Sequence, residues 1–192
     1  RFKVDIISGD SVQVYRGMDI GSAKATPEER EQFPHRLIDI LDPDETFTAA
    51  DFQKRAAELI EESAARGRLP FIVGGTGLYI ESVVYAYRFP GAGADERVRS
   101  RWEAAADERG LAALHALLAE RDPLAAARIH PNDRKRIVRA LEICEATGGP
   151  VSDFAQKREK KSPYRLCMIG LTMERSALYE RIERRVDAMI EQ

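Results

Sequence analysis

The sequence predicts an α/β protein with a parallel sheet that is interrupted by an all-helical insertion. Short apolar runs end in small-residue turns and alternate with segments of helical periodicity, which is typical of βαβ units. From residue 95 to about residue 156 the pattern is helical throughout, and a strand and a helix then follow. We therefore expect an α/β core at residues 1–94 and 165–192, split by a helical domain at residues 95–164.

The first part of the predicted core alternates strands and helices. β-branched residues favour a strand at 4–7, which breaks at Ser8-Gly9. Thr48, with Asp51 three residues later, has the form of a capping box that starts a helix ending at Gly67. In chain order we predict a strand at 4–7, a short helix at Pro27–Gln32, a strand at Leu37–Ile40, the helix from Thr48, a strand at Leu69–Val73 and a helix from about Leu78.

The predicted insertion contains amphipathic helices. One of them begins at Asn132-Asp133 and ends at Gly148-Gly149-Pro150, where glycine and proline terminate helices. After the insertion, a strand is expected at Leu166–Leu171 and a helix from Glu174. The two earlier helices carry apolar stripes at helical spacing, formed by Val98, Trp102, Ala105 and Ala106 and by Leu111, Leu114, Leu117 and Leu118.

Bulk composition is that of an ordinary globular protein of 192 residues, with 44% hydrophobic and 32% charged residues and a net charge of −2. No apolar run has the length of a membrane span, and no signal segment is recognisable, so we expect no membrane and a cytoplasmic setting. Cys144 and Cys167 are too few for a disulfide framework and are predicted to be buried, reduced thiols. Basic residues cluster at positions 134–139 and 157–161.

Two turns at predicted strand ends are candidates for chemistry. Asp10 follows the first strand, and ligands of open α/β sheets bind at the carboxyl ends of the strands. Asp is also common in turns for purely local hydrogen-bonding reasons, so spacing alone fits either role. The run of residues 74–77, Gly-Gly-Thr-Gly, would let a ligand approach the backbone closely, although a tight structural turn explains it as well.

A basic face is predicted near the start of the third insertion helix. Lys135 and Arg139 are four residues apart and Arg136 and Arg139 three, so the side chains share one side of the helix. The positive end of the helix dipole adds to a field that suits phosphate. The alternative is a solvated surface whose cations pair with Asp133 and Glu142.

Four blocks of the chain resemble tRNA dimethylallyltransferases, also called tRNA isopentenyltransferases. They are GDSVQVYRGMDIGSAK, PHRLIDILDP, GGTGLY and IHPNDRKRIVRALE, in the family's order. The resemblance implies transfer of a dimethylallyl group from dimethylallyl diphosphate to the N6 amine of the adenosine 3′-adjacent to the anticodon in tRNA. It also implies a P-loop nucleotide-kinase-like parallel sheet, Mg²⁺ with the diphosphate, and the anticodon stem-loop as partner. We expect a monomer.

The same resemblance implies roles for individual residues. Asp10 matches the family's general base, and Thr76 matches a threonine that contacts tRNA beside the reaction site, so both are candidate catalytic residues. A carboxylate that accepts a proton from the adenine amine keeps positive charge off that nitrogen as the carbon–nitrogen bond forms. The tRNA contacts implied in this way are Asp10, Ser11, Val12, Gln13, Thr76, Arg99, Lys135, Arg136, Ile137, Val138 and Arg139.

One departure from the family pattern concerns the phosphate-binding loop. The family opens with a GxxxxGK[ST] motif, which does not occur in these residues. We therefore expect a fragment that lacks the P-loop, the metal ligands and the C-terminal part, and that is inactive by itself. The alternatives are an adenylate isopentenyltransferase, a P-loop small-molecule kinase and a non-enzymatic binder. The helical insertion with its basic helix argues against the kinase, and an adenylate isopentenyltransferase, which prenylates free nucleotide, has less need of an RNA-binding face.

Overall fold

The computed structural model describes residues 2–89, 95–152 and 161–191, and it confirms the α/β class. By contact the chain divides into two compact units, one of Arg1–Ala86 with Lys161–Gln192 and one of Tyr87–Lys160. The predicted role of residues 95–164 as a tRNA-contacting domain stays a prediction. The described elements are β1 (Val4–Ser8), α1 (Pro27–Gln32), β2 (His35–Arg36), α2 (Ala49–Ala65), β3 (Leu69–Val73), α3 (Gly77–Val84), α4 (Glu96–Arg109), α5 (Leu111–Arg121), α6 (Pro123–Ala126), α7 (Arg134–Thr147) and α8 (Arg175–Ile190).

The first unit is built on a parallel sheet with strand order β2-β1-β3. β1 pairs with β3 along its whole length, from Val4 opposite Leu69 to Ser8 opposite Val73. The carboxyl ends of these two strands therefore finish side by side, and the turns that follow them become neighbours. The core beneath the sheet joins Ile7 to residues of α2 and α3, namely Phe52, Ala56, Leu59, Tyr79 and Val83.

Helix α2 begins at the predicted capping box. The Thr48 side chain accepts a hydrogen bond from the Asp51 N–H, and the Asp51 carboxylate accepts one from the Thr48 N–H. One face of α2 carries Phe52 into the core, where its ring stacks on Tyr79 with 4.5 Å between centroids. Local capping thus sets where the helix starts, and its apolar stripe sets which side faces the sheet.

The predicted second strand at Leu37–Ile40 is wrong in position. The strand that pairs with β1 is His35–Arg36, directly before it. Leu37 and Asp39 have φ angles of 64° and 54°, in the left-handed region, which a regular strand cannot contain. Leu37 and Ile38 are buried although their backbone is irregular, and buried apolar residues in an irregular segment give the same sequence pattern as a short strand.

The predicted strand at Leu166–Leu171 is also wrong. None of the described strands pairs with it, and Leu171 is 97% exposed. A strand needs a neighbour for its backbone hydrogen bonds, and apolar composition alone does not supply one. Cys167 lies in this segment and is exposed, contrary to prediction, whereas Cys144 is buried as predicted. Helix α8 does begin where expected, with the Glu174 side chain capping it.

The second unit, as far as the structure describes it, consists of helices α4–α7. α4 and α5 meet at Gly110, whose φ of 81° lets the chain turn between them. The apolar stripes predicted for these helices supply Ala106, Leu114 and Leu118 to the core. From α7 come Ile137, Val138, Ala140 and Leu141. The basic residues predicted at positions 157–160 lie outside the described residues. No described helix has both the length and the apolar character needed to cross a membrane.

Asp122 closes the core of this unit at the start of α6. Its side chain is buried, and its two oxygens accept the N–H groups of Ala125 at 3.0 Å and Ser152 at 2.8 Å. Burial acts to raise the pKa of Asp122, but these backbone donors outweigh it and hold the pKa below its ordinary value.

Asp122→Ala is expected to lower the free energy of unfolding by about 2–3 kcal/mol, because two buried N–H groups lose a charged acceptor. Urea unfolding of the parent and the variant measures this. Since the folded-state pKa is depressed, this stabilisation is present at neutral pH and lost as the pH falls below about 4. Glu120→Ala removes an exposed acid of the same unit and should cost less than about 0.5 kcal/mol. An equal loss in both variants would contradict the structural role of Asp122.

Candidate functional site

The turns that follow β1 and β3 touch each other through their backbones. Gly9 N–H donates to Val73 O at 2.7 Å, and Thr76 N–H donates to Gly9 O at 3.2 Å. A Cβ atom placed on Gly74 would lie 2.3 Å from Gly9 O, which is closer than any side chain could come. Position 74 of the GGTG run therefore requires glycine, because the backbone of Gly9 occupies the space that a side chain would need.

Asp10 stands in the first of these turns and is partly buried. Its Oδ1 accepts the N–H groups of Val12 at 2.8 Å and Gln13 at 3.1 Å, so the carboxylate organises its own turn. No hydrogen bond or ion pair to its Oδ2 occurs within the described parts of the chain. Asp10 therefore does have the turn-forming role that its spacing suggested. That role uses Oδ1 and leaves Oδ2 available to accept a proton.

Thr76 stands in the second turn and joins it to the first. Its Oγ1 accepts Ser11 N–H at 3.0 Å and donates to Ser11 Oγ at 3.2 Å, across 65 residues of sequence. The resemblance implied that Thr76 contacts tRNA, which stays a prediction, and the structure shows its hydroxyl bound to Ser11, the neighbour of Asp10. The two predicted catalytic residues are thus connected through Ser11.

The remaining residues of the 10–13 run have different surroundings. Val12 is 40% exposed beside Asp10. Gln13 is engaged within the protein, where its Oε1 accepts Ser8 Oγ at 3.2 Å and its Nε2 donates to Ser22 O at 3.1 Å. Gln13 therefore holds the loop that follows Asp10 against the end of β1.

Lys24, in the loop that follows Asp10, is a buried charged residue that the sequence analysis did not identify. Its side chain is 1% exposed, and Nζ donates to Tyr15 O at 2.7 Å and to carboxylate oxygens of Asp19 and Asp39 at 2.6 Å each. Arg30 also binds Asp39. Burial acts to raise the pKa of Asp39, but Lys24 and Arg30 hold it below its usual value. Lys24 and Asp39 both lie in the blocks that resemble the family, and this was the only feature of the sequence that could have marked them as important.

The structure has the predicted basic residues at the start of α7, and they differ in exposure and in ion-pair partners. Lys135 and Arg136 are exposed, and Arg136 Nε lies 3.4 Å from Asp133 Oδ2. Ile137 and Val138, which the resemblance implied as tRNA contacts, are 0% and 2% exposed. Their side chains belong to the core, so this stretch can offer a partner only its polar positions.

Arg99 and Arg139 meet at one carboxylate. Arg99 Nη2 lies 3.1 Å from Glu142 Oε2, and Arg139 Nη1 lies 2.8 Å from Glu142 Oε1. Burial acts to raise the pKa of Glu142, but the two guanidinium groups hold it below its usual value. The pairing of cations with Asp133 and Glu142, which was the alternative to a binding surface, therefore exists. It engages Arg136 and Arg139, whose side chains as a whole are 73% and 39% exposed.

Sequence comparison identifies similar proteins over nearly the whole chain. The model of the IPP transferase family matches residues 13–192. The tRNA dimethylallyltransferase of Halalkalibacterium halodurans is 54% identical over 193 residues, and that of Heliobacterium modesticaldum 56% identical over 192 residues. Each alignment includes 100% of this chain but only 62% and 60% of the respective relative. The chain thus spans less than two thirds of the length of these curated relatives.

Solved structures resemble the chain as well. The full-length tRNA isopentenylpyrophosphate transferase from Bacillus halodurans has 54% identity and a TM-score of 0.60, covering 98% of this chain and 58% of its own. A eukaryotic dimethylallyltransferase acting on tRNA has 27% identity and a TM-score of 0.81, covering 98% of this chain and 46% of its own.

Proposed function

The chain belongs to the IPP transferase family, and on that premise we propose that it serves to prenylate tRNA. The reaction transfers a dimethylallyl group from dimethylallyl diphosphate to the N6 amine of the adenosine 3′-adjacent to the anticodon. Relatives with 54% and 56% identity carry the name tRNA dimethylallyltransferase, which supports this assignment. The structural observation that carries it is the Asp10 carboxylate, which is fixed through one oxygen at the junction of two strand ends and is open at the other.

Asp10 would act as the general base. The N6 amine is a poor nucleophile because its lone pair is delocalised into the adenine ring. As the N6–carbon bond forms, the bond from that carbon to the diphosphate oxygen breaks, and one N6 proton passes to Asp10 Oδ2. Thr76 would contact the tRNA beside the reacting base while its hydroxyl, through Ser11, keeps the turn of Asp10 in place.

The proposed co-substrate is dimethylallyl diphosphate, together with Mg²⁺. In the described residues, no group of three or more His, Cys, Asp or Glu side chains could hold a metal ion. Mg²⁺ needs only one or two protein oxygens when a diphosphate supplies others, and no step of the reaction is assigned to the metal ion.

A transfer assay with the full-length protein tests the proposal. Labelled dimethylallyl diphosphate is supplied with an anticodon stem-loop RNA, with free AMP or with no acceptor. We expect label on the RNA adenosine and none on AMP. Transfer to AMP alone would instead identify an adenylate isopentenyltransferase, and transfer to neither acceptor would contradict the proposal.

The basic face of α7 should make RNA binding depend on salt. Replacing Lys135, Arg136 and Arg139 together with Gln is expected to flatten the slope of log affinity against log salt by about two to three units, if each meets one phosphate. The reason is counterion release, which contributes roughly 0.7 to 0.9 per phosphate contact. A salt titration of stem-loop binding, by fluorescence anisotropy in the full-length protein, measures the slope.

The matched control replaces three cations of α2 and its C-cap, Lys54, Arg55 and Arg66, which are exposed in the other unit. Their loss changes the net charge equally and should leave the slope close to that of the parent. Binding by the α7 variant should weaken for any stem-loop sequence, because phosphate contacts position the RNA without reading bases. A slope equal to that of the parent would make the α7 face a solvated surface.

A further inference from the structure

A buried carboxylate lies between two arginines of the helical unit. The Glu142 side chain is 1% exposed, whereas those of Arg99 and Arg139 are 36% and 39% exposed. One negative charge therefore sits in the interior beneath two positive charges that reach the surface. The group as a whole keeps one net positive charge.

The carboxylate also fixes where the two arginines stand. Arg99 approaches it through both Nε and Nη2, at 3.3 and 3.1 Å from Oε2. Glu142 Oε1 accepts the backbone N–H of Asp95 at 3.0 Å, and Asp95 is the residue that caps α4. Glu142 thus ties α7 to the first turn of α4 and orients one arginine from each helix.

Such an arrangement is suited to a phosphate group. A guanidinium has more N–H donors than one carboxylate can use, so those not directed at Glu142 stay available to a second acceptor. Arginine binds phosphate best when its planar fork is already oriented, because less side-chain freedom is then lost on binding. Both arginine side chains are partly exposed, although Nη1 of Arg139, which faces Glu142, is itself buried.

We propose that Glu142 is a positioning residue for RNA, which holds Arg99 and Arg139 as a paired site for the phosphate backbone. This inference rests on the proposed function, since the ligand is the RNA of that reaction. The resemblance implied the two arginines separately. The structure joins them through a third residue that itself touches no substrate.

The sign of the charge change separates positioning from simple electrostatics. Glu142→Gln removes a negative charge, and by long-range attraction alone it should tighten binding to RNA. If Glu142 positions the arginines, binding should instead weaken by about 10-fold, the scale of a lost charge-assisted contact. The measurement is anisotropy of a fluorescein-labelled anticodon stem-loop RNA with the full-length protein at fixed salt.

Glu145→Gln is the matched control. Glu145 is a further acid of α7 that binds α4, through Arg101 and through Trp102 Nε1 at 3.1 Å. The substitution removes the same charge from the same helix interface. It should leave RNA affinity equal to that of the parent or slightly higher.

Two further variants exclude a merely structural role. Glu142→Asp keeps the charge and the fold but is one methylene shorter, so it cannot reach both arginines, and its binding should weaken as well. In a protein that already carries Arg99→Gln and Arg139→Gln, adding Glu142→Gln should cause no further loss. General damage to the fold would reduce binding in that background too. Circular dichroism accompanies each variant, and Glu142→Asp decides the question if Glu142→Gln does not fold.

The outcomes separate this inference from the function on which it rests. A parent protein that binds no stem-loop RNA would overturn both. A parent that binds RNA, with Glu142 variants that bind as tightly or that still lose affinity without the arginines, would overturn the positioning role and leave the function standing.

Discussion

Asp10→Asn in the full-length protein is expected to slow prenyl transfer by about 100-fold or more, the scale of a lost general base. Asn keeps a side-chain oxygen that can accept the N–H groups of Val12 and Gln13, so the turn is retained. It has no carboxylate oxygen to take the N6 proton. Single-turnover transfer to an anticodon stem-loop measures the chemical rate, and RNA affinity should change much less.

Asp10→Ala provides the comparison. Ala removes the base and the turn-forming oxygen together, so its rate should be as low as that of the Asn variant, with lower stability. If Asp10 were only a turn residue, Asn would retain near-normal turnover and Ala alone would be impaired. That result would remove Asp10 from the chemistry.

Gly74→Ala is expected to reduce both stability and turnover. The added Cβ would lie 2.3 Å from Gly9 O and 2.7 Å from Gly9 Cα, so it meets backbone that cannot rotate away. Relief requires the two turns to separate, which breaks the bonds from Gly9 N to Val73 O and from Thr76 N to Gly9 O. We expect a loss of about 1–3 kcal/mol in the free energy of unfolding. Displacement of the neighbouring Asp10 should lower turnover at least 10-fold, since small misplacements at a site are costly.

Gly75→Ala is the control in the adjacent position. A Cβ there meets nothing within 4 Å, so stability should change by less than about 0.5 kcal/mol. Thermal unfolding and single-turnover rates are compared for the two variants. Equal stability and equal turnover of the two variants would show that the close contact between the turns does not determine either property.

The predictions that rested on local signals were confirmed. The helix at Pro27–Gln32, the start of α2 at Thr48 and the strand at Leu69–Val73 each depend on a cap, a proline or a β-branched run within a few residues. The two misplaced strands failed for a different reason. Leu37–Ile40 contains left-handed backbone, and Leu166–Leu171 pairs with none of the described strands. Apolar composition indicates that a segment can be buried. It does not determine the backbone φ angles of that segment or whether another strand pairs with it.

For the candidate site, too, the features that depend on local sequence and strand order were predictable, and the contacts between separate segments were not. Parallel strands bring their ends together, so the proximity of the Asp10 and Thr76 turns followed from the fold. The bonds of Thr76 to Ser11, of Lys24 to Asp39 and of Arg99 to Glu142 join segments that are separated in the sequence. A single sequence carries no direct record of such contacts. Helical spacing placed the cations of α7, but it did not reveal which of them already had an internal partner.

The contact between Gly9 and Gly74 has a consequence for protein engineering. Because the backbone of Gly9 occupies the space that a side chain at Gly74 would need, the two turns can be changed only in concert, although they lie far apart in the sequence. A library that varies Gly74 alone would sample collisions with Gly9, and a graft that moves one turn would remove the hydrogen bonds that hold the other. Efforts to change the substrates of the proposed reaction should therefore exchange both turns together.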